Sequence, residues 1–277
     1  MSKLSISNIA WTKEQDDEAL TLLQKYGYTG LEIAPTRIFP EEPYTRKAEA
    51  AKWGGDLKKT WGLSVSSMQS IWYGRSEHLF GSKTERQILL DYTKQAIDFA
   101  AAVGCPNLVF GSPKNRCLPV LAEKAEEGEA IRFREMAISF FRELGEYASG
   151  KGTVLSMEAN PVLYGTNFIN TTREALDLID EVDSSGFLLN LDVGTMLANG
   201  EGTEVLKGRE PRIHHVHISE PGLKKIEKRE LHRKLEEVLS DCGYDGYVSI
   251  EMGKNGDATL KDVEEAMAYV KAVFTGL

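Results

Sequence analysis

Four residues of the chain have types and spacings that could bring them together around a metal ion. They are Glu158 in Ser-Met-Glu-Ala-Asn, Asp192 in Asn-Leu-Asp-Val-Gly, His217 in His-Val-His-Ile-Ser and Glu251 in Val-Ser-Ile-Glu-Met. Each follows a short apolar run that is typical of a strand. Three carboxylates and one imidazole form an oxygen-rich ligand set, which suits Mn²⁺, Mg²⁺ or Zn²⁺ better than a soft metal. Without a cation, converging carboxylates would repel one another, and at least one pKa would rise.

The run Ile213–Glu220 contains three of the five histidines of the chain. Side chains alternate between the two faces of a strand, so His215 and His217 share one face and His214 lies on the other. We therefore predict that His217 is a ligand, that His215 lies one step deeper on the same polar face, and that His214 points outward. The alternative is that each polar residue at these strand ends is a hydrogen-bonded interior side chain.

Eight short runs rich in β-branched and apolar residues alternate with longer amphipathic segments. The predicted strands are Leu4–Ala10, Leu31–Pro35, Leu63–Ser70, Asn107–Ser112, Thr153–Asn160, Phe187–Gly194, Ile213–Glu220 and Tyr247–Met252. The predicted helices lie near Thr12–Tyr26, Thr45–Trp61, Lys83–Val103, Gly128–Ala148, Thr171–Val182, Leu231–Ser240 and Leu260–Phe274.

This alternation predicts an α/β fold, a (β/α)8 TIM barrel of eight parallel strands formed by residues 1–277 as one domain. A doubly wound open sheet is the alternative, but Ser7-Asn8-Ile9-Ala10 after the first strand is not the glycine-rich turn typical of that fold. In a barrel of parallel strands, functional groups gather at the carboxyl ends of the strands. The alternation of faces then predicts a polar mouth over an apolar floor.

Composition narrows the class of protein. The chain has 277 residues, 42% of them hydrophobic, and a formal net charge of −9. The negative charge disfavours generic nucleic-acid binding, which depends on clustered Lys and Arg. The sequence has neither a signal-peptide pattern nor a long apolar run, so we expect a cytoplasmic protein that does not bind membranes. Three scattered cysteines, Cys105, Cys117 and Cys242, favour reduced structural thiols.

The four candidate ligands occur in an order that resembles the xylose-isomerase-like TIM-barrel superfamily, with gaps of 34, 25 and 34 residues between them. This superfamily includes sugar phosphate isomerases and epimerases, ketose 3-epimerases, inosose dehydratases and AP endonuclease family 2. The motifs that carry most of this resemblance are His-Val-His-Ile-Ser-Glu and the segment Gly243–Met252. The resemblance spans nearly the whole chain, and it implies a divalent metal held by Glu158, Asp192, His217 and Glu251.

The resemblance also implies an isomerase or epimerase of a small sugar, a sugar phosphate or a keto-polyol. In that mechanism the metal polarises the carbonyl of a hydroxy-ketone, and Glu158 and Glu251 exchange a carbon-bound proton through an enediolate, one as base and one as acid. Neither nicotinamide nor flavin is needed. Two alternatives remain. One is a keto-polyol dehydratase or lyase like the inosose dehydratases, and the other is a barrel that binds a sugar without turnover.

Three positions depart from the patterns of this superfamily. Many members have a histidine three residues after the aspartate, where this chain has Thr195. Ketose 3-epimerases have an arginine six residues beyond the metal histidine, where this chain has Leu223, and trinuclear-zinc endonucleases have a histidine in place of Gln69. These departures argue against a trinuclear endonuclease centre and weaken the specific assignment as a ketose 3-epimerase.

Further residues are predicted to contact the substrate. We expect aromatic walls, an acceptor for a hydroxyl group, a grip for a phosphate or carboxylate, an amide that orients Glu158, and a histidine at a helix start that contacts substrate or carries a proton. These are, in turn, Trp11, Trp72 and Tyr73, then Glu32, Lys114 and Arg116, Asn160, and His232. The alternatives are core packing for the tryptophans, a solvated turn for the basic loop and a solvated helix start for His232. The expected partner is a small sugar-like molecule, and homo-oligomer formation is left open.

Overall fold

Eight parallel strands close on themselves as a barrel in the computed structural model, which describes residues 2–119, 127–254 and 259–275. Each strand pairs with the next in the sequence, and the last pairs with the first. The strands are β1 Lys3–Ser7, β2 Gly30–Ile33, β3 Ser64–Met68, β4 Asn107–Phe110, β5 Val154–Glu158, β6 Phe187–Asp192, β7 Ile213–Ser219 and β8 Tyr247–Glu251. The predicted (β/α)8 barrel is confirmed.

The helices surround this barrel. They are α1 Asp16–Tyr26, α2 Pro35–Ile38, α3 Lys47–Trp61, α4 Lys83–Val103, α5 Glu127–Gly150, α6 Thr172–Val182, α7 Val193–Asn199, α8 Glu230–Asp241 and α9 Leu260–Phe274. The bounds predicted for α4 and α9 are confirmed, whereas the two short helices α2 and α7 are not predicted from the sequence. No helix in the described ranges is long and apolar enough to cross a membrane.

Helix α4 shows how local sequence fixes the bounds of an element. The Ser82 hydroxyl accepts a hydrogen bond from the Glu85 N–H at 3.2 Å, and the Glu85 carboxylate accepts one from the Ser82 N–H at 2.8 Å. These two bonds satisfy N–H groups that the first helical turn leaves without partners. The helix ends at Val103 and is followed by Gly104, whose φ of 73° lies in the left-handed region that glycine adopts readily.

The hydrophobic core lies between the barrel and its helices. Outward-facing strand residues such as Leu155, Met157 and Ile250 are completely buried there. Helix α5 approaches the start of β6 so closely that a Cβ on Gly186 would lie 2.0 Å from the carbonyl oxygen of Gly145. Any larger residue at position 186 would force this helix away from the sheet.

The interior of the barrel is polar at mid-height, and several of its groups form hydrogen bonds with one another. The Ser5 and Ser66 hydroxyl oxygens are 2.5 Å apart. The Asn107 amide donates to the Ser67 hydroxyl at 2.9 Å and accepts from the Ser156 hydroxyl at 2.7 Å. Because buried polar groups are costly without partners, these bonds allow a hydrophilic interior beneath the barrel mouth.

The lower end of the barrel corrects one prediction from the sequence. The register between β6 and β7 shifts, so that Leu189 pairs with Ile213 but Asn190 pairs with His215. His214 is therefore an extra residue that breaks the alternation of faces. Its Nε2 lies 3.3 Å from the carbonyl oxygen that precedes β4, three strands away around the barrel. The predicted outward direction of His214 is wrong, and this imidazole helps to form the floor, which is not purely apolar.

Candidate metal centre

The four candidate ligands converge at the carboxyl ends of β5 to β8. Glu158, Asp192, His217 and Glu251 each offer one ligand atom, and all of these atoms lie within 4.8 Å of one another. His217 is completely buried, and its Nδ1 lies 3.1 Å from a Glu158 oxygen and 3.4 Å from a Glu251 oxygen. The imidazole therefore stands between two carboxylates from strands on either side of it.

Two amides fix the orientation of Glu158. The Asn190 side chain donates to one carboxylate oxygen at 2.8 Å, and the Asn160 side chain donates to the other at 2.9 Å. The backbone also leaves room, because a Cβ on Gly111 would lie 2.7 Å from a Glu158 oxygen. The predicted contact between Asn160 and Glu158 is therefore present.

Asp192 is held by the start of the short helix that follows it. One oxygen accepts from the Thr195 N–H at 2.7 Å and from the Thr195 hydroxyl at 2.8 Å. The other oxygen accepts from the Ser219 hydroxyl. Thr195, which replaces the histidine of many superfamily members, thus supports the aspartate as the cap of α7.

Glu32 lies beneath the centre. One of its oxygens accepts from Nε2 of His215 and from Nε2 of His217, both at 2.9 Å. Burial by itself would raise the pKa of Glu32, but the charge of His217 and the bonds from both imidazoles outweigh burial and bring this pKa well below its ordinary value. Glu32 is inaccessible to solvent, so its position differs from that expected of a group that accepts a substrate hydroxyl.

The pKa values of His215 and His217 are shifted in opposite directions. Burial lowers the pKa of His215. Burial would also lower the pKa of His217, but the carboxylates of Glu32 and Glu251 outweigh it and raise this pKa well above its usual value.

Glu32, His215 and His217 could themselves form a ligand set. However, the two imidazoles already share the carboxylate as hydrogen-bond partners, so this cluster holds together without an ion.

The electrostatics of the four converging residues fit a divalent cation. Burial raises the pKa of Glu251 to about 7; His217 opposes this shift, and the carboxylates of Glu158 and Asp192 add to it. Burial, followed by the charge of Glu158, also raises the pKa of Asp192. A cation would remove this mutual repulsion, and carboxylate oxygens with one imidazole nitrogen are suitable ligands for it.

A cavity of about 210 Å³, here called the mouth cavity, lies above the four converging residues. Its walls include Gln69, Ser70, Ser112, Tyr164, Glu220 and Leu223. The Tyr164 hydroxyl accepts a hydrogen bond from the Gly222 N–H at 2.8 Å, which joins the loops after β5 and β7 on one side of the cavity. Sequence reasoning missed Tyr164 and Glu220 as wall residues. Glu220 directly follows Ser219 at the end of β7, whereas no local pattern indicates Tyr164.

Neither predicted tryptophan lies at the mouth cavity. Trp72 is buried, its ring contacts that of Phe110 edge-on at 4.6 Å, and its N–H donates to Thr93 at 2.8 Å. Trp11 is buried and donates to Asp16 at 2.8 Å, beside a separate cleft between α1 and α3. Both rings pack in the hydrophobic shell, where each finds a partner for its N–H. Trp72 also borders a cleft between the loops that follow β3 and β4.

The structure also corrects the expected role of Arg116. This side chain is completely buried, and its guanidinium donates to the carbonyl oxygens of Gly111 at 2.7 Å and Ile169 at 3.1 Å. It also donates to the Glu158 carbonyl oxygen at 3.2 Å and to the Asn160 side chain at 2.8 Å. Burial lowers the pKa of Arg116 to about 10. The guanidinium therefore braces the loops around Glu158 and has no free donors to offer an anion.

The remaining two predicted residues lie outside the mouth cavity. His232 is buried between α8 and α9, where its Nδ1 lies 3.0 Å from the Tyr269 hydroxyl. Burial lowers its pKa to about 4, so this imidazole is neutral near pH 7 and is not placed as a proton carrier at the mouth. Lys114 is exposed and lines an adjoining cleft.

Known proteins share this architecture. The family model of the xylose isomerase-like TIM barrel matches residues 20–273. No curated protein sequence matches the chain.

Solved structures with a similar fold come from several bacteria. The 3-keto-D-glucoside 4-epimerase from E. coli is 20% identical with a TM-score of 0.77, over 98% of this chain and 100% of that chain. The D-psicose 3-epimerase from Clostridium cellulolyticum H10 is 15% identical with a TM-score of 0.77, over 98% of this chain and 99% of that chain. An AP endonuclease, family 2, from Brucella melitensis is 19% identical with a TM-score of 0.71, over 97% and 98%. At these identities, the likeness shows the fold.

Proposed function

The chain belongs to the xylose isomerase-like TIM-barrel family, and from this premise we propose that it is a divalent-metal-dependent isomerase or epimerase. Its substrate would be a small sugar, a sugar phosphate or a keto-polyol. The observation that carries the proposal is the convergence of Glu158, Asp192, His217 and Glu251 beneath the mouth cavity. Two proteins of similar fold, a 3-keto-D-glucoside epimerase and a D-psicose epimerase, are sugar epimerases by name.

The three carboxylates and Nδ1 of His217 would hold the cation. When bound, the cation would polarise a substrate carbonyl and so favour loss of a proton from the neighbouring carbon. Glu32 supports this role, because its contact with Nε2 of His217 turns Nδ1 of the same ring toward the carboxylates. A carboxylate behind a ligating histidine fixes the ring and its tautomer.

Glu158 and Glu251 would transfer the proton. They project from β5 and β8 toward the same imidazole, so a substrate in the mouth cavity would contact both. One carboxylate would remove the proton next to the carbonyl, and the other would deliver a proton to the resulting enediolate. Asn160 and Asn190 keep Glu158 in one orientation throughout. This chemistry needs neither nicotinamide nor flavin.

Solvent exchange tests this proposal. The Mn²⁺-loaded protein should introduce deuterium from D₂O at a carbon next to the carbonyl of at least one ketose or inosose, as observed by NMR. Glu158→Gln and Glu251→Gln should each slow the exchange by about 100-fold or more, because removal of a general acid or base has effects of roughly 10²–10⁴. Glu237→Gln, an exposed substitution on α8, is the matched control. Absence of exchange with every sugar, together with no Mn²⁺ binding, would contradict the proposal.

A further inference from the structure

A second, larger cavity opens beside the mouth cavity. This side cleft, of about 600 Å³, lies between the loops that follow β3 and β4 and includes Tyr73 and Lys114 in its walls. The two cavities adjoin each other, because both are lined by Ser70, Ser112 and Pro113. The mouth cavity alone, at about 210 Å³, is smaller than the roughly 300–1,000 Å³ usual for small-molecule sites. The side cleft supplies the remaining space.

The side cleft has fixed walls. The Asn115 amide donates to the carbonyl oxygens of Arg75 at 3.1 Å and Glu77 at 2.9 Å, and so ties the two loops together. The Leu79 N–H in turn donates to the Asn115 carbonyl oxygen at 2.8 Å. On another side of the mouth cavity, the bond between Tyr164 and Gly222 joins the loops. A ligand that outgrows the mouth cavity therefore has a preformed space toward the side cleft.

The passage between the two cavities contains unusual backbone. Ser70 has φ of 54° and Ser112 has φ of 43°, so both adopt the left-handed conformation without being glycine. This conformation costs free energy and persists only where the surroundings fix it, and such residues cluster at binding sites. Here the two strained residues stand where a ligand would cross from one cavity to the other.

The chemistry of the side cleft suits a sugar ring better than an anion. The Tyr73 side chain is 71% exposed beside it and offers an aromatic face to sugar C–H groups. Arg75 is paired with Glu77 through Nε at 3.0 Å and lies over the Tyr92 ring, so its charge is already matched. Arg116 is turned into the protein. Three serines, Asn115 and the rings of Tyr73, Trp72 and His78 therefore form most of the walls, together with the exposed Lys114.

We propose that the substrate is a glycosyl-substituted keto-sugar, whose reacting unit occupies the mouth cavity and whose second sugar ring occupies the side cleft against Tyr73. This inference rests on the proposed function, because it assumes that the reacting unit lies over Glu158 and Glu251.

Binding measurements with defined disaccharides test the side cleft. The probes are D-fructose and its glucosyl derivatives turanose, maltulose, leucrose and isomaltulose, titrated into the Mn²⁺-loaded protein by calorimetry. At least one disaccharide should bind about tenfold tighter than D-fructose, and Tyr73→Ala should reduce that advantage by roughly two- to tenfold without changing the affinity for D-fructose. Ile131→Ala is the matched control, because Ile131 is 52% exposed on α5, away from the side cleft.

Three results would overturn the inference: no ligand binds, no disaccharide binds tighter than D-fructose, or Tyr73→Ala leaves the advantage intact. Tighter binding of D-fructose 6-phosphate than of every disaccharide, lost in Lys114→Ala, would make the side cleft an anion site and also overturn it. If the protein exchanges deuterium into D-fructose but does not bind the disaccharides, only the proposal of a glycosyl-substituted substrate is refuted. Tyr73-dependent disaccharide binding without any exchange supports the side cleft and contradicts only the catalytic proposal.

Discussion

At the scale of single residues, Glu32 links the interior of the barrel to the candidate metal centre. It is completely buried and accepts bonds from the imidazoles of His215 and His217, so the orientation of His217 depends on a side chain from β2. No short motif near either histidine indicates this contact, because it joins residues 185 positions apart. The convergence of the four candidate ligands could be predicted, since strand alternation needs only local sequence.

Replacement of this carboxylate should weaken metal binding. Glu32→Gln keeps the shape of the side chain but removes the charge, so His217 loses its preferred acceptor. We expect Mn²⁺ affinity to fall by roughly 10–100-fold, as measured by calorimetry, because loss of a carboxylate behind a ligating histidine has effects of this size. The ¹⁵N chemical shifts of His217 should report an altered tautomer. Unchanged affinity and unchanged shifts in a folded variant would contradict a positioning role.

Other predictions for single residues failed because the residue type does not show which way a side chain points. Arg116 and Lys114 lie two positions apart in one short 3₁₀ segment, yet one is completely buried and the other exposed. Trp72 follows β3, where a rim residue is expected, but its ring packs in the hydrophobic shell against Phe110. In each case the deciding partner belongs to an element that is distant in the sequence.

At the scale of elements, the loops after β4 and β5 form one braced unit. The Arg116 guanidinium binds carbonyl oxygens in both loops and contacts Asn160, which itself holds Glu158. Its planar fork serves several acceptors at once, which a lysine cannot do. The conformation of the wall around Glu158 therefore depends on a single buried cation.

Removal of this cation should destabilise the fold. Arg116→Met leaves buried carbonyl oxygens without donors, so the free energy of unfolding in urea should fall by about 2–4 kcal/mol. Arg116→Lys should recover only part of that loss. Arg132→Met, an exposed substitution on α5, is the control and should change stability by less than about 0.5 kcal/mol. A change of similar size in both methionine variants would refute the bracing role.

The bounds of elements were predictable where local caps set them. The Ser82 and Gly104 caps define α4 from sequence alone. Helix α7 and the extra residue His214 were not predictable in this way. The first depends on Asp192 acting as a cap instead of continuing a strand, and the second depends on the register between two strands.

At the scale of the whole molecule, closure of the barrel concentrates negative charge at one end. The alternation of strands and helices was sufficient to predict this architecture, because each repeat is local. The hydrogen-bond partners within the polar interior were not predictable, because they depend on how Glu32 and the mid-height serines and asparagines meet across the barrel.

Stability should therefore depend on pH in opposite ways with and without metal. In the metal-free protein, the folded-state pKa of Glu251 is about 7, above its ordinary value of 4.5, and that of Asp192 is also raised. The folded state then binds more protons than the unfolded state in this range, so this contribution to stability is lost as the pH rises from about 4.5 through about 7. Glu251→Gln should flatten that loss in thermal unfolding after chelation.

Added metal should reverse this trend. Mn²⁺ at about 100 times its dissociation constant should stabilise the protein by about 2.7 kcal/mol, and the effect should grow with pH because protons compete for the same carboxylates. Thermal unfolding at pH 5, 6, 7 and 8, with and without Mn²⁺, measures both effects. A pH-independent metal effect would show that the ion binds elsewhere.

Strand β8 pairs with both β7 and β1, and it carries Glu251. It is also the last of the eight strands in the sequence, so Glu158, Asp192 and His217 precede it in the chain. A chain without β8 would therefore lack one of the four candidate ligands and would have an unpaired edge at β1. The complete set of four converging residues is thus a property of the closed ring, in which the first and last strands have paired.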